Sequence, residues 1–176
     1  MAQRTEMRTE ALKLRDDELF ITRSFAAPLS IVWRMWQEPQ HMIRWWGPEG
    51  FTVTDLSSDF RPGGAWRVGM TSSMFPKSWS SGEYLEIEPQ QRIVLSFAWD
   101  EGAGDTVPTT ITVQFEERAG RTTQHFHQTP FTSVASRDSH VGGWNSLINK
   151  QQLYVENTAI AESRWAPHDT SRGKAR

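Results

Sequence analysis

The feature that most constrains this chain is a change of hydrophobic period. Between residues 51 and 128 apolar side chains recur at every second position, and from about Ser139 to Ile160 they recur at helical spacing. Trp66, Val68 and Met70 alternate, as do Ile93, Leu95, Phe97 and Trp99, and then Ile111, Val113 and Phe115. A period of two places such residues on one face of a strand. Short turn signals separate the runs: Arg61-Pro62-Gly63-Gly64, Pro89-Gln90-Gln91 and Arg118-Ala119-Gly120-Arg121. Connections this short join neighbouring antiparallel strands. The helical stripe of Val141, Trp144, Ile148 and Val155 comes last. A sheet with one apolar face must cover it, and this is the long apolar stripe available to do so.

Ahead of the sheet, Leu19–Phe25 reads as a first strand closed by Ala26-Ala27-Pro28. Ser30 is the expected cap of a short helix with Val32, Met35 and Trp36 inward. Pro39 opens a second short helix through Trp45-Trp46, which Gly47-Pro48 stops. In the sheet, Leu85 and Ile87 are expected inward, and residues 71–80 an irregular loop. The long helix is expected to be capped by Asp138 or Ser139. The fold class is therefore α+β: a curved antiparallel sheet of about seven strands round a long C-terminal helix, with two short helices after strand 1. Residues 1–16 read as a flexible tail, 17–160 as one domain, and 161–176 as a disordered tail.

Composition narrows the function. A net charge of -2, from 19 basic and 21 acidic residues, points to neither nucleic acid nor a membrane surface as partner. With no cysteine, disulfides and thiolate chemistry are excluded. Residues 1–8 hold no apolar run of the signal-peptide kind, and no stretch reaches the roughly 20 apolar residues of a membrane span. A cytoplasmic protein is expected. Nine tryptophans against two tyrosines are more than a small core requires, so some are expected to line a cavity or an interface.

Several stretches together resemble the family of homologues of the activator of heat-shock-protein-90 ATPase, within the START-like (SRPBCC, helix-grip) superfamily. They are Phe25-Ala26-Ala27-Pro28 with Val32-Trp33 and Trp36, Pro39-Gln40-His41, and Trp45-Trp46-Gly47-Pro48-Glu49-Gly50-Phe51. Arg61-Pro62-Gly63-Gly64-Ala65-Trp66, Gly82-Glu83-Tyr84-Leu85-Glu86-Ile87 and His140-Val141-Gly142-Gly143-Trp144 continue the match in order. The resemblance implies a cavity between the long helix and the concave sheet, entered near the short helices. Relatives include co-chaperone domains, polyketide cyclases, toxin-resistance proteins and lipid binders, so fold alone does not choose among them. Relatives often carry a histidine near the end of the last strand, where this chain has Gln128.

The candidate ligand-binding residues are the inward aromatic and polar groups: Trp45, Phe51, Trp66, Met70, Phe97, Trp99, Phe115, Gln124, Phe126, Gln128, Trp144 and Ile148. Of the adjacent pair, Trp45 is expected at the cavity entrance. His125 and His127 share a strand face, but if Phe126 points inward both point out, and no third ligand is at hand. No metal or cofactor is expected. His140 is the single candidate acid/base, with no second catalytic group paired to it by sequence. The first expectation is a binding protein for a small hydrophobic or aromatic molecule. Alternatives are an interaction module acting on a heat-shock ATPase and a cyclase- or hydrolase-type enzyme. A monomer or homodimer is expected, the latter through the apolar Met74-Phe75 loop.

Overall fold

In the computed structural model, which describes residues 15–166, the chain forms β1 (Leu19–Phe25), α1 (Leu29–Gln37) and α2 (Pro39–Met42). It continues with β2 (Thr52–Ser58), β3 (Ala65–Thr71), β4 (Ser78–Glu88), β5 (Arg92–Trp99), β6 (Thr109–Arg118), β7 (Arg121–Thr129) and α3 (Val134–Trp165). The strands form one curled antiparallel sheet in the order β1-β7-β6-β5-β4-β3-β2. β1 and β2 thus lie on opposite edges, and α1 and α2 carry the chain between them. The remaining strands meander back until β7 pairs with β1. α3 lays Trp144, Leu147, Ile148 and Val155 into the core formed by the sheet's inner face. This is the helix-grip architecture expected from the pattern. Among the described residues no helix is long and apolar enough to cross a membrane.

α3 starts earlier than its apolar stripe suggests. Ser133, not Asp138 or Ser139, is its N-cap, and its hydroxyl accepts from the Ser136 N–H at 3.0 Å. The helix also runs past Ile160 to Trp165, into the segment expected to be disordered. The expected tail over residues 1–16 lies outside the described residues up to residue 14.

α1 is capped from a distance. It begins after Pro28, and Ser30 makes no capping bond. Instead the Leu29 N–H donates to Glu117 Oε2 on β6 at 2.9 Å, while in the turn before the helix the Ala26 N–H donates to Glu156 Oε1 on α3, also at 2.9 Å. Carboxylates suit the start of a helix, where backbone N–H groups lack intrahelical partners.

β4 reverses an expected face. Tyr84 pairs with Leu95 but Glu86 pairs with Val94, so Leu85 is an extra residue. Such a bulge shifts the alternation by one. Tyr84 is therefore fully buried, Leu85 is 46% exposed, and Ile87 returns to the core side. The Tyr84 hydroxyl shares a hydrogen bond with Ser58 Oγ at 2.8 Å, and burial pushes the phenol up to about 12. Residues 78–80, expected in a loop, begin β4.

On β7 the expected alternation is observed: Thr122, Gln124, Phe126 and Gln128 are buried. His125 and His127 lie on the outer face, flanking Phe20, where they meet Thr22 Oγ1 at 3.1 Å and Glu18 Oε2 at 2.9 Å.

Candidate functional site

The space between sheet and α3 has a filled end and an open end. The filled end is aromatic. Trp36 meets Trp45 at 4.8 Å, Trp46 meets Trp66 at 5.3 Å and Trp144 at 5.5 Å, and Trp144 lies 4.5 Å from Phe126. Edge-on and tilted arrangements of this kind are the favoured ones for aromatic pairs.

Buried indoles also need acceptors for their N–H groups. Trp45 donates to the Met35 carbonyl at 3.0 Å and Trp66 to the Ser96 carbonyl at 3.1 Å. Trp36 donates to Gln124 Oε1 at 2.9 Å and Trp144 to Gln128 Oε1 at 2.7 Å. The two inward glutamines therefore serve tryptophans. Their amide groups donate onward, Gln124 to Gln151 Oε1 at 3.0 Å and Gln128 to Thr109 Oγ1 at 2.8 Å.

The open end is a cavity of about 980 Å³ bounded by β3, β4, β5, the segment after α2 and the first turns of α3. Trp46, Met70, Phe97, Trp144 and Leu147 line its inner part, with Phe51 and Phe75 stacked at 6.2 Å at its lip. The segment that carries Trp46 and Phe51 is fastened to α3. Lys150 Nζ donates to the Gly47 carbonyl at 3.0 Å, and the Glu49 N–H donates to Ser146 Oγ at 2.8 Å. Burial holds the Lys150 ammonium below its ordinary pKa, against the pull of Glu49. Gly47, with φ of +105°, turns the chain out of the short helices at this point, a conformation open mainly to glycine.

The opposite wall is the loop of residues 100–105. Asp100 is bound by Arg67 at 2.7 Å. Asp105 accepts from the Thr132 hydroxyl and the Val107 N–H, which together hold its carboxyl below the usual range despite desolvation. Gly104 lies directly on the Trp99 indole: a Cβ there would sit 2.6 Å from the ring.

His140, on α3, reaches toward Trp99 of β5 with both ring nitrogens engaged. The Ser136 carbonyl lies 2.7 Å from Nδ1, and the Trp99 Nε1–H lies 3.0 Å from Nε2. An indole N–H only donates and a carbonyl only accepts, so Nδ1 carries the proton and Nε2 is the acceptor. His140 is a neutral bridge in this geometry. Proton exchange with a ligand would first break one of these bonds.

Comparison with known proteins fits this geometry. The model of the family described as activator of Hsp90 ATPase homolog 1-like protein matches residues 26–156. The chain belongs to that family. Three solved structures resemble this chain. A protein of Chromobacterium violaceum has a TM-score of 0.74 at 22% identity, covering 81% of this chain and 99% of its own. A protein of Nitrosomonas europaea has 0.71 at 22%, covering 84% and 99%. An AHSA1 protein of Silicibacter pomeroyi has 0.71 at 21%, covering 82% and 99%. At these identities the likeness establishes the fold. No curated protein matches the chain.

Of the twelve expected binding residues, Phe51, Met70, Phe97, Trp99 and Trp144 line the cavity, as does His140. The other seven do not. Phe115 packs edge-on against Trp33 at 5.7 Å, Phe126 lies beneath Trp144, Trp66 stands behind Phe97 at 5.7 Å, and Ile148 is in the core. Gln124 and Gln128 are committed to tryptophans. Trp45 is fully buried against Trp36 and Met35, and Trp46 is the ring at the cavity. Phe75, Leu147, Ser80 and the acidic loop also line it and were missed. Leu147 has a sequence signal, since it follows Trp144 and His140 at helical spacing. Ser80 has no such signal, because the Met74-Phe75-Pro76 stretch before it has the composition of a loop and masks the start of β4.

Proposed function

We propose that the protein binds a small, largely apolar aromatic molecule in the cavity between the sheet and the first half of α3. The observation that carries this reading is an aromatic-walled space of about 980 Å³ that opens to solvent beside a core already filled with rings. Ligand cavities commonly fall at roughly 300–1,000 Å³ and are mostly apolar with a few polar groups. Aromatic walls favour flat ligands, which offer faces and edges to the rings. Equilibrium dialysis with naphthalene tests it. Saturable one-to-one uptake that Leu147→Trp abolishes supports the reading, and uptake no greater than that of the unfolded chain refutes it.

A second reading is stimulation of a heat-shock ATPase. It is favoured by the family's description and by Met74 and Phe75, which are exposed at the lip. Addition of the protein to a purified heat-shock ATPase should then raise its turnover, and Phe75→Ser should abolish the increase. An unchanged rate rejects this reading without touching the first.

A further inference from the structure

The cavity's interior holds one polar side chain that nothing satisfies. Ser80 on β4 is 1% exposed, and its hydroxyl has no hydrogen-bond partner among the described residues. Its inward face follows from register: it pairs with Val68, buried on the inner side of β3, and with Trp99 of β5. It also lines the cavity. Most buried polar groups in proteins are paired, because leaving one unpaired costs on the order of 1–3 kcal/mol.

The other polar groups around the cavity are either committed or open to solvent: the Ser136 side chain is half-buried and that of Glu101 exposed, so water can reach both. His140 and Trp99 bind each other, Asp100 is held by Arg67, and Asp105 by Thr132 and Val107. Lys77 is held by Asp55. Ser139 is exposed at the rim. Among the described residues that line the cavity, Ser80 alone is both fully buried and without a hydrogen-bond partner.

Resting on the aromatic-ligand reading above, we propose that Ser80 is a specificity-determining residue and that the ligand is a neutral aromatic bearing a hydroxyl or carbonyl group, seated against the Ser80 hydroxyl. A serine hydroxyl both donates and accepts, so either group can pair with it. No bond fixes its rotor, so it can turn toward the ligand. A carboxylate fits poorly in this place. It would be desolvated without a free cation to pair with, and burial of an unpaired charge is far costlier than burial of a neutral hydroxyl.

Equilibrium dialysis with naphthalene and β-naphthol, on wild type and Ser80→Ala, tests the inference. The two probes differ by one hydroxyl, so the ratio of their affinities isolates its contact. The ratio is expected to fall about five- to tenfold in Ser80→Ala, the worth of one neutral hydrogen bond. Naphthalene affinity should change by less than about twofold, which also shows that the variant is folded. Ser80→Cys, with a weak S–H donor, should lie between. An equal ratio in wild type and both variants overturns the role of Ser80 while leaving the cavity reading intact. Absence of naphthalene binding to wild type overturns both.

Discussion

Trp36 and Trp144 each bury an indole N–H, and each meets the carboxamide oxygen of an inward glutamine on β7. This pairing explains why β7 carries Gln124 and Gln128 where a purely apolar face would pack more simply. The first prediction follows from it. Gln124→Leu keeps a side chain of similar size but strands the Trp36 N–H and the Gln151 side-chain carbonyl, so it should cost about 2–4 kcal/mol in urea unfolding. A loss of under about 0.5 kcal/mol, the range of an ordinary surface change, would show the bonds to be incidental. The face of both glutamines was legible from alternation. Their role was not, because the acceptor lies on a strand and the donor on a helix far away in sequence. The same limit explains Trp45 and Trp46. Adjacent residues diverge in direction, and which ring faces the cavity depends on the turn after α2, which no local pattern encodes.

At the scale of the element, β4 and the start of α1 show how a local rule is overridden by a distant partner. Alternation alone assigns Leu85 to the inside, and the bulge hands that place to Tyr84. The contrast is measurable. Leu85→Lys should change stability by no more than about 0.5 kcal/mol, as for a surface site. Tyr84→Ala should cost about 3–5 kcal/mol, as for a large core ring. Urea midpoints in the reverse order would restore the simple alternation.

The start of α1 supplies a pH test. The Ala26 N–H, and to a lesser degree the Gln152 amide and Arg121, hold the Glu156 carboxyl below its ordinary value against a desolvation that raises it. A carboxyl lowered in the folded state adds stability that is fully present above its unfolded pKa and lost as pH falls through the folded one. Wild type should therefore weaken steadily on acidification below the usual carboxylate range. Glu156→Gln should start lower at neutral pH and decline less steeply. Parallel pH profiles of the unfolding midpoint would remove Glu156 from this role.

For the molecule as a whole, the order of elements was legible because a sheet that meanders by short turns leaves few topologies. The cavity's position was legible in outline from the family resemblance, but its extent was not. Whether aromatic residues fill a space or line it depends on how many rings converge, and here they do both: the α1 end is packed and the far end is open. The open end is also charged. Asp100, Glu101 and Asp105 line it against Lys77, while Arg67 engages Asp100 and Asp55 engages Lys77, the two cations flanking Trp79. Asp105, held below the usual carboxylate range, is ionised at neutral pH. An anionic ligand thus meets a repulsive mouth and, among the described residues, an interior without a free cation. β-Naphthoate should bind at least about tenfold more weakly than naphthalene, since a buried unpaired charge costs several kcal/mol. The two causes separate by salt. Repulsion at the mouth is screened over about 10 Å at 0.1 M salt, whereas desolvation inside the cavity is not. Raising the salt should therefore recover part of the deficit, and Glu101→Gln should recover a similar part at low salt. If β-naphthoate binds as well as naphthalene, a cation reaches the ligand, and Lys77 would have to leave Asp55 to supply it.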